Sequence, residues 1–141
     1  MAGLLHDAGK IVLAASIPEE YAEVLRLTSE EGMSTGQAER QVLGTTHGEV
    51  GAYLFGQWGL PAPLVEAVAY HVHPSNSPAS EFGMIGIIHV ADVLAKVPSG
   101  SDFRDPDLPV DWDYLEAKGK ADHWPAWCES SRALFAAESG V

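Results

Sequence analysis

Several histidines and aspartates in this chain are of the right type and spacing to hold a divalent metal. Adjacent His6 and Asp7 are followed by Gly9 and Lys10 in AGLLHDAGK. Neutral imidazole together with carboxylate suits a divalent transition metal better than calcium, which takes oxygen ligands. Neighbouring side chains in a regular helix diverge by roughly 100°. His6 and Asp7 therefore reach one ion only at a helix end or kink, and Gly9 permits such a break. Lys10 would then meet a phosphate as a mobile point charge. Read alone, a His-Asp dipeptide is equally a chance pairing with no chemistry attached. His47, in TTHGEVGAYL, faces Gly48, Gly51 and Ala52, small residues that let another helix come close. It reads as a ligand or as an ordinary hydrogen-bonded helical histidine. His71 and His73, in AYHVHP, fall at a helix end, where histidine is favoured electrostatically whatever its function. Asp92 lies in the apolar IIHVADVLA, three residues after His89 and on the same face. A carboxylate among Ile, Val, Ala and Leu is costly unless paired or metal-bound. Asp92 thus belongs to a metal site or to a buried polar network.

Helices are what the sequence offers to position these groups. No run of alternating β-branched residues is closed by an Asn-Gly or Asp-Gly turn. The opening stretch AGLLHDAGKIVLAAS is helix-like and interrupted at Gly9. Pro18 starts a second helix, with Glu19 and Glu20 complementing its dipole and Gly32 ending it. Ser34 and Gln37 have capping-box spacing for a third. Its apolar pattern runs as one long helix through Ala38, Val42, Leu43, Val50, Leu54 and Phe55 to Gly59. A fourth, LVEAVAYH, follows Pro61 and Pro63, and a loop at Pro74–Pro78 precedes a fifth, FGMIGIIHVADVLAKV.

The chain divides on this reading into a helical body, 1–98, a solvated Asp- and Pro-rich linker, 99–111, and a helical extension, 112–141. The extension has short helices near DWDYLEAKG and after Pro125. It carries Trp112, Trp124 and Trp127, three of the chain's four tryptophans, which as large aromatics serve as packing anchors and predict that it docks on the body.

Composition narrows the function. Eight Lys and Arg face twenty Asp and Glu, a formal charge of −12. Phosphate-backbone binding draws on clustered Lys and Arg, so nucleic acid and anionic lipid are not expected partners. A phosphate substrate would need local compensation from a metal or a placed lysine. No apolar run approaches the ~20 residues of a membrane helix. A single cysteine, Cys128, leaves no intramolecular disulfide, and the expected location is cytoplasmic.

Taken in order, AGLLHDAGK, THGEVGAYLFGQWGLPAPLVEAVAYHVHP and IIHVADVLA resemble the C-terminal part of an HDOD domain, a signalling relative of HD-type metal phosphohydrolases. The resemblance covers roughly residues 1 to 97. More faintly, DWDYLEAKGKADHWPAW resembles the extension of HDOD domains that follow a response-regulator receiver. The resemblance implies an all-α, HD-like helical bundle that begins after its N-terminal helices. It implies that His6, Asp7 and Asp92 stand at metal-ligand positions, with His47 and His71 where a two-metal branch holds its second ion. Asp7 and Lys10 would be the catalytic pair if the domain were an enzyme, and the ion would be Fe, Mn, Zn or Mg. The family's upstream metal-binding histidine has no counterpart after Met1, and the GYP signature of cyclic-di-GMP phosphodiesterases is replaced by VHPSNSP after His71. The expected function is therefore a regulatory module that scaffolds a signalling partner and keeps a residual metal site. The alternative is a metal-dependent phosphohydrolase acting on a nucleotide or phosphodiester. The apolar opening helix, with Leu4, Leu5, Ile11, Val12 and Leu13, predicts a homodimer through that helix. The competing expectation is that the Trp-rich extension covers it.

Overall fold

A computed structural model describes residues 1–97, 102, 105 and 108–139. Among the described residues all regular structure is helical. In chain order the helices are α1 (Ala2–Leu5), α2 (Ala8–Ser16), α3 (Pro18–Glu30), α4 (Thr35–Leu43), α5 (His47–Gln57), α6 (Ala62–Tyr70), α7 (Gly83–Lys96), α8 (Trp112–Ala117) and α9 (Trp124–Ser139). Single 3₁₀ turns lie at Pro74–Asn76 and Ala121–His123. α3 opens on Pro18 with two glutamates in its first turn, and both arms of the Ser34–Gln37 capping box form at the head of α4.

Two element boundaries differ from expectation. The opening stretch breaks at His6–Asp7 and not at Gly9: α1 ends at Leu5, and Asp7 has non-helical φ −97° and ψ 3°. Gly9 instead lies inside α2, where a Cβ would sit 1.9 Å from the His47 carbonyl oxygen. Its missing side chain lets α2 touch the start of α5. The single long helix expected from Ala38 to Phe55 is two. α4 stops at Gly44, whose φ of 71° is left-handed, and α5 starts behind Thr46 with a second capping box. There the Thr46 side chain accepts from the Glu49 amide and the Glu49 carboxylate accepts from the Thr46 amide. The T-x-x-E spelling of that box was present in the sequence, but the apolar pattern runs through the turn and hides it.

α5 packs between α2 and α6, α3 pairs with α4, and α7 lies along α6. One cluster, Leu13, Tyr21, Val24, Leu27 and Ala38, holds α2, α3 and α4 together. Another joins Ala52 and Phe55 of α5 to Val68 of α6. The third ties Val90, Val93 and Leu94 of α7 to Tyr114, Leu115, Trp124 and Cys128. The extension is thus laid on α7. Phe82 stacks with the rings of Tyr114 and Trp127, and the Tyr114 hydroxyl donates to the Phe82 carbonyl at 2.8 Å.

This placement excludes the extension as a cover for the opening helix: Leu4 is 89% exposed and Ile11 74%. Leu13 of the same stretch is buried, and Leu5 packs against the α5–α6 cluster. Most of the segment read as a linker falls outside the described residues. Its last part is described, and there Leu108 and Val110 pack against the α7–extension cluster.

Candidate metal centre

Four elements bring the histidines and aspartates together. The α1–α2 break frees His6 and Asp7 from the angular spacing of a continuous helix. His47 is the first residue of α5, His71 caps the C-terminus of α6, and Asp92 sits in the middle of α7. The Gly9–His47 approach fixes the first pair against the third residue. Gly48 likewise lets α5 come close to α6, because a Cβ there would lie 2.8 Å from the Val68 carbonyl oxygen.

The outer edge of each imidazole ring is fixed by an acceptor. His6 Nδ1 donates to the Gly3 carbonyl at 2.8 Å and His71 Nδ1 to the Val68 carbonyl at 2.8 Å. His47 Nδ1 donates to the Glu39 carboxylate at 2.7 Å. Carbonyls and carboxylates only accept, so every Nδ1 carries the proton and every Nε2 of a neutral ring presents a lone pair. All three Nε2 atoms face inward. Asp7 Oδ1 lies 3.3 Å from His47 Nε2 and 3.7 Å from both His6 Nε2 and His71 Nε2. The Nε2 atoms of His47 and His71 are 3.2 Å apart, and His6 Nε2 is 3.1 Å from Asp92 Oδ1. Asp7 Oδ1 is buried without a hydrogen-bond partner. Three nitrogen lone pairs and two carboxylate oxygens therefore converge with no donor among them, an arrangement that only protons or a metal cation can satisfy.

The spacing suits a cation. Ligand atoms on one ion at bonds of ~2.1 Å stand about 3.0–4.2 Å apart. The ligand atoms of His6, Asp7 and His71 all lie within 4.8 Å of one another. His47 adjoins this trio through Asp7 and His71, and Asp92 through His6. The structure thus gathers all five expected residues into one cluster, with three in a single-ion set and two at its margin.

Charge is balanced locally. The side chain of Lys10 pairs with Asp7 Oδ2 at 2.8 Å and that of Lys96 with Asp92 Oδ2 at 2.6 Å. Burial pushes the Asp7 carboxyl up, but the adjacent His47 and His71 rings and the Lys10 ammonium outweigh it and hold it well below the usual carboxylate range. Burial likewise opposes ionisation of Asp92, yet His6 and Lys96 bring it down to about 2. The Asp92 carboxylate raises the pKa of His6. Burial depresses His47, but Asp7 and Glu39 more than offset this and its pKa is raised. Both histidine shifts run toward proton binding, as expected where the cluster lacks donors. Beside the cluster a cavity of about 240 Å³ is lined by Lys10, Lys96, His71 and the start of α4.

Glu39 and Lys96 escaped the sequence reading as members of this site. Glu39 is fully buried, and its Oε2 accepts from both the backbone amide and the Nδ1 of His47, at 2.9 and 2.7 Å. The Tyr21 hydroxyl faces its other oxygen at 3.4 Å. A glutamate next to Ala38 on an otherwise apolar face was the available signal. Lys96 stands one turn after Asp92, the helical ion-pair spacing. His89 was noted only as sharing a face with Asp92. It does not join the cluster: Nδ1 donates to the His71 carbonyl at 2.7 Å and Nε2 accepts from the Asp111 amide at 3.0 Å. Burial keeps its pKa below the usual value.

Comparison with known proteins agrees with this architecture. An HDOD protein of unknown function from Geobacter sulfurreducens, solved at 1.90 Å, superposes with a TM-score of 0.65 at 25% identity. The match covers 94% of this chain and 50% of that one. An uncharacterized protein of Treponema pallidum (strain Nichols) is 24% identical over 98 residues, which is 70% of this chain and 19% of that protein. The chain therefore spans half of the first relative and about a fifth of the second. The HDOD domain family model matches residues 1–74, more than half the chain. The sequence motifs, the helical architecture and this match agree, and the chain belongs to the HDOD domain family.

Proposed function

We propose that this chain is a signal-transduction HDOD module, a regulatory scaffold that holds a divalent metal and presents helical faces to a protein partner. The observation that carries the metal part is the buried, unpartnered Asp7 Oδ1 facing three inward Nε2 atoms. His6, Asp7 and His71 would hold the ion, with His47 and Asp92 completing or adjoining its sphere. Imidazole-rich sites of this kind take Fe, Mn or Zn more readily than Mg, whose preference is for oxygen.

The scaffold part rests on exposed apolar side chains, Leu4 and Ile11 at the opening helices above all. A second copy of the chain about a twofold axis is the simplest cover for that face. Nothing in the composition favours nucleic acid or membrane as the partner. No helix among the described residues is long and apolar enough to cross a membrane; the proposed cytoplasmic location rests instead on the chain's single cysteine.

One observation favours a hydrolytic reading. Lys10 and Lys96 both line the cavity beside the cluster, where a phosphoryl group would find positive charge. In that reading the ion would supply Lewis acidity and an activated water, Asp7 would orient the water, and Lys10 would steady the phosphate.

Metal analysis of protein purified without chelators, or reconstituted with Zn(II), Mn(II) or Fe(II), tests the site. Near-stoichiometric metal that is lost in Asp7→Ala and His71→Ala is expected. Metal-free wild type after reconstitution would overturn the proposal. Turnover of bis-p-nitrophenyl phosphate with excess Mn(II), abolished by Asp7→Ala, would replace the scaffold reading with the enzymatic one.

A further inference from the structure

The extension and the metal cluster meet through one buried side chain, His89. Its ring spans the gap between the last turn of α6 and the segment that starts α8. One nitrogen receives the Asp111 amide hydrogen and the other donates to the carbonyl of His71. Asp111 reaches back to the same region. Its carboxylate accepts from the Ser75 amide at 2.9 Å and from the Ser75 hydroxyl at 2.5 Å, while also capping α8 through the Tyr114 amide at 3.0 Å. The stretch from His71 to Ser75 is therefore gripped at both ends, by His89 and by Asp111. The grip bears on the cluster because His71 Nε2 points at Asp7 Oδ1.

Nothing in ion binding requires such a connection. The Nδ1 proton of His71 is already fixed by Val68 within its own helix. What the His89 and Asp111 bonds add is a shared fate for the cluster and the extension. If α8 leaves, Asp111 releases both Ser75 and His89, and the turn carrying His71 loses its outer support. If the cluster is ordered by an ion, His71 is held and the Asp111 seat is held with it. A segment with two such states couples two sites in both directions by thermodynamic necessity.

We propose that the C-terminal extension is a regulatory arm of the metal centre, coupled to it through His71, His89 and Asp111, so that metal binding tightens extension docking and extension release weakens metal binding. A partner that captures the extension would thereby lower the metal affinity. This inference rests on the metal reading above, and it adds the direction in which the site is controlled.

Zn(II) titration of the full chain by calorimetry, with amide hydrogen exchange at zero and saturating Zn(II), tests it. The expected result is slower exchange at Asp111 and through α8 when Zn(II) is bound. His89→Phe, which keeps an aromatic ring and removes both bonds, is expected to raise the Zn(II) Kd about tenfold, the usual scale for residues that support a metal ligand. Asp111→Ala keeps the backbone bond to His89 but removes the carboxylate bonds to Ser75 and Tyr114, the more exposed half of the grip, and should also raise the Kd, which keeps the test valid should the buried substitution prevent folding. Zn(II) binding that leaves the exchange of α8 unchanged, or wild-type Kd in a folded variant, overturns the coupling alone. Absence of Zn(II) binding to the wild type overturns the metal reading and the coupling with it.

Discussion

Glu39 is the residue whose replacement the structure constrains most tightly. It is fully buried on α4 and accepts three hydrogen bonds, two of them from His47 through a single oxygen. Glu39→Ala leaves the His47 amide and Nδ1–H, on a residue only 2% exposed, without acceptors. Each stranded buried donor costs about 1–3 kcal/mol, and the carboxylate that favours positive charge on the His47 ring also disappears. The sum is about 3–5 kcal/mol, a large part of the ~5–15 kcal/mol that holds a domain together. Glu39→Gln differs in a defined way. Its amide oxygen can take the place of Oε2 and keep both His47 bonds, while its NH₂ group faces a tyrosine hydroxyl that can rotate to accept. Only the charge assistance is lost, about 1 kcal/mol. Urea unfolding of the metal-free proteins, followed by far-ultraviolet circular dichroism, measures both. An alanine variant within ~1 kcal/mol of wild type would refute the assignment of Glu39 as the anchor of His47. Equal damage from glutamine and alanine would show that charge and not hydrogen-bond geometry is what matters.

Gly9→Ala should destabilise the fold by about 1–3 kcal/mol or more, since its Cβ would overlap the His47 carbonyl; a thermal melt within a degree of wild type would count against the close approach. Metal affinity should rise with pH, because His6 and His47 have raised pKa values in the metal-free state and protons compete with the ion; calorimetric titrations at about pH 6 and about pH 8 that give the same Kd would contradict this. The depressed pKa of Asp92, about 2, sets the opposite limit. Its contribution to stability is fully present above the ordinary carboxylate value of about 4 and is lost as pH falls through about 2, so Asp92→Asn should flatten acid unfolding of the metal-free protein across that window. Light scattering at micromolar concentration should show a dimer that Leu4→Glu with Ile11→Glu converts to monomer; a wild-type monomer would remove the opening helix as a self-interface.

The helical class and most helix ends were legible because Pro18, the Ser34–Gln37 box and Gly59 are local signals that need no tertiary information. The fifth helix was legible from its unbroken apolar run, and Asp92 from being the charge inside it. The break at Gly44–Thr46 was not, because Val42, Leu43, Val50 and Leu54 keep a helical spacing across the turn and the capping signals lie beneath it. Gly9 was read for its backbone freedom, whereas the structure uses its lack of a side chain against another helix, and which helix that is cannot be found in one dimension. The five clustered residues were recoverable through family resemblance, since spacing alone left each of them ambiguous. Glu39 and His89 were not, because their roles consist entirely of partners remote in sequence.

Burial of Cys128 has a practical consequence. It is the chain's single cysteine and lies 3% exposed in the seam between α7 and the extension, with burial raising its thiol pKa. A thiol so placed reacts only in molecules whose seam has opened. Every copy therefore carries a built-in clock: the alkylation rate of the folded protein, divided by that of a free thiol, gives the fraction of time the seam stands open, without any engineered probe.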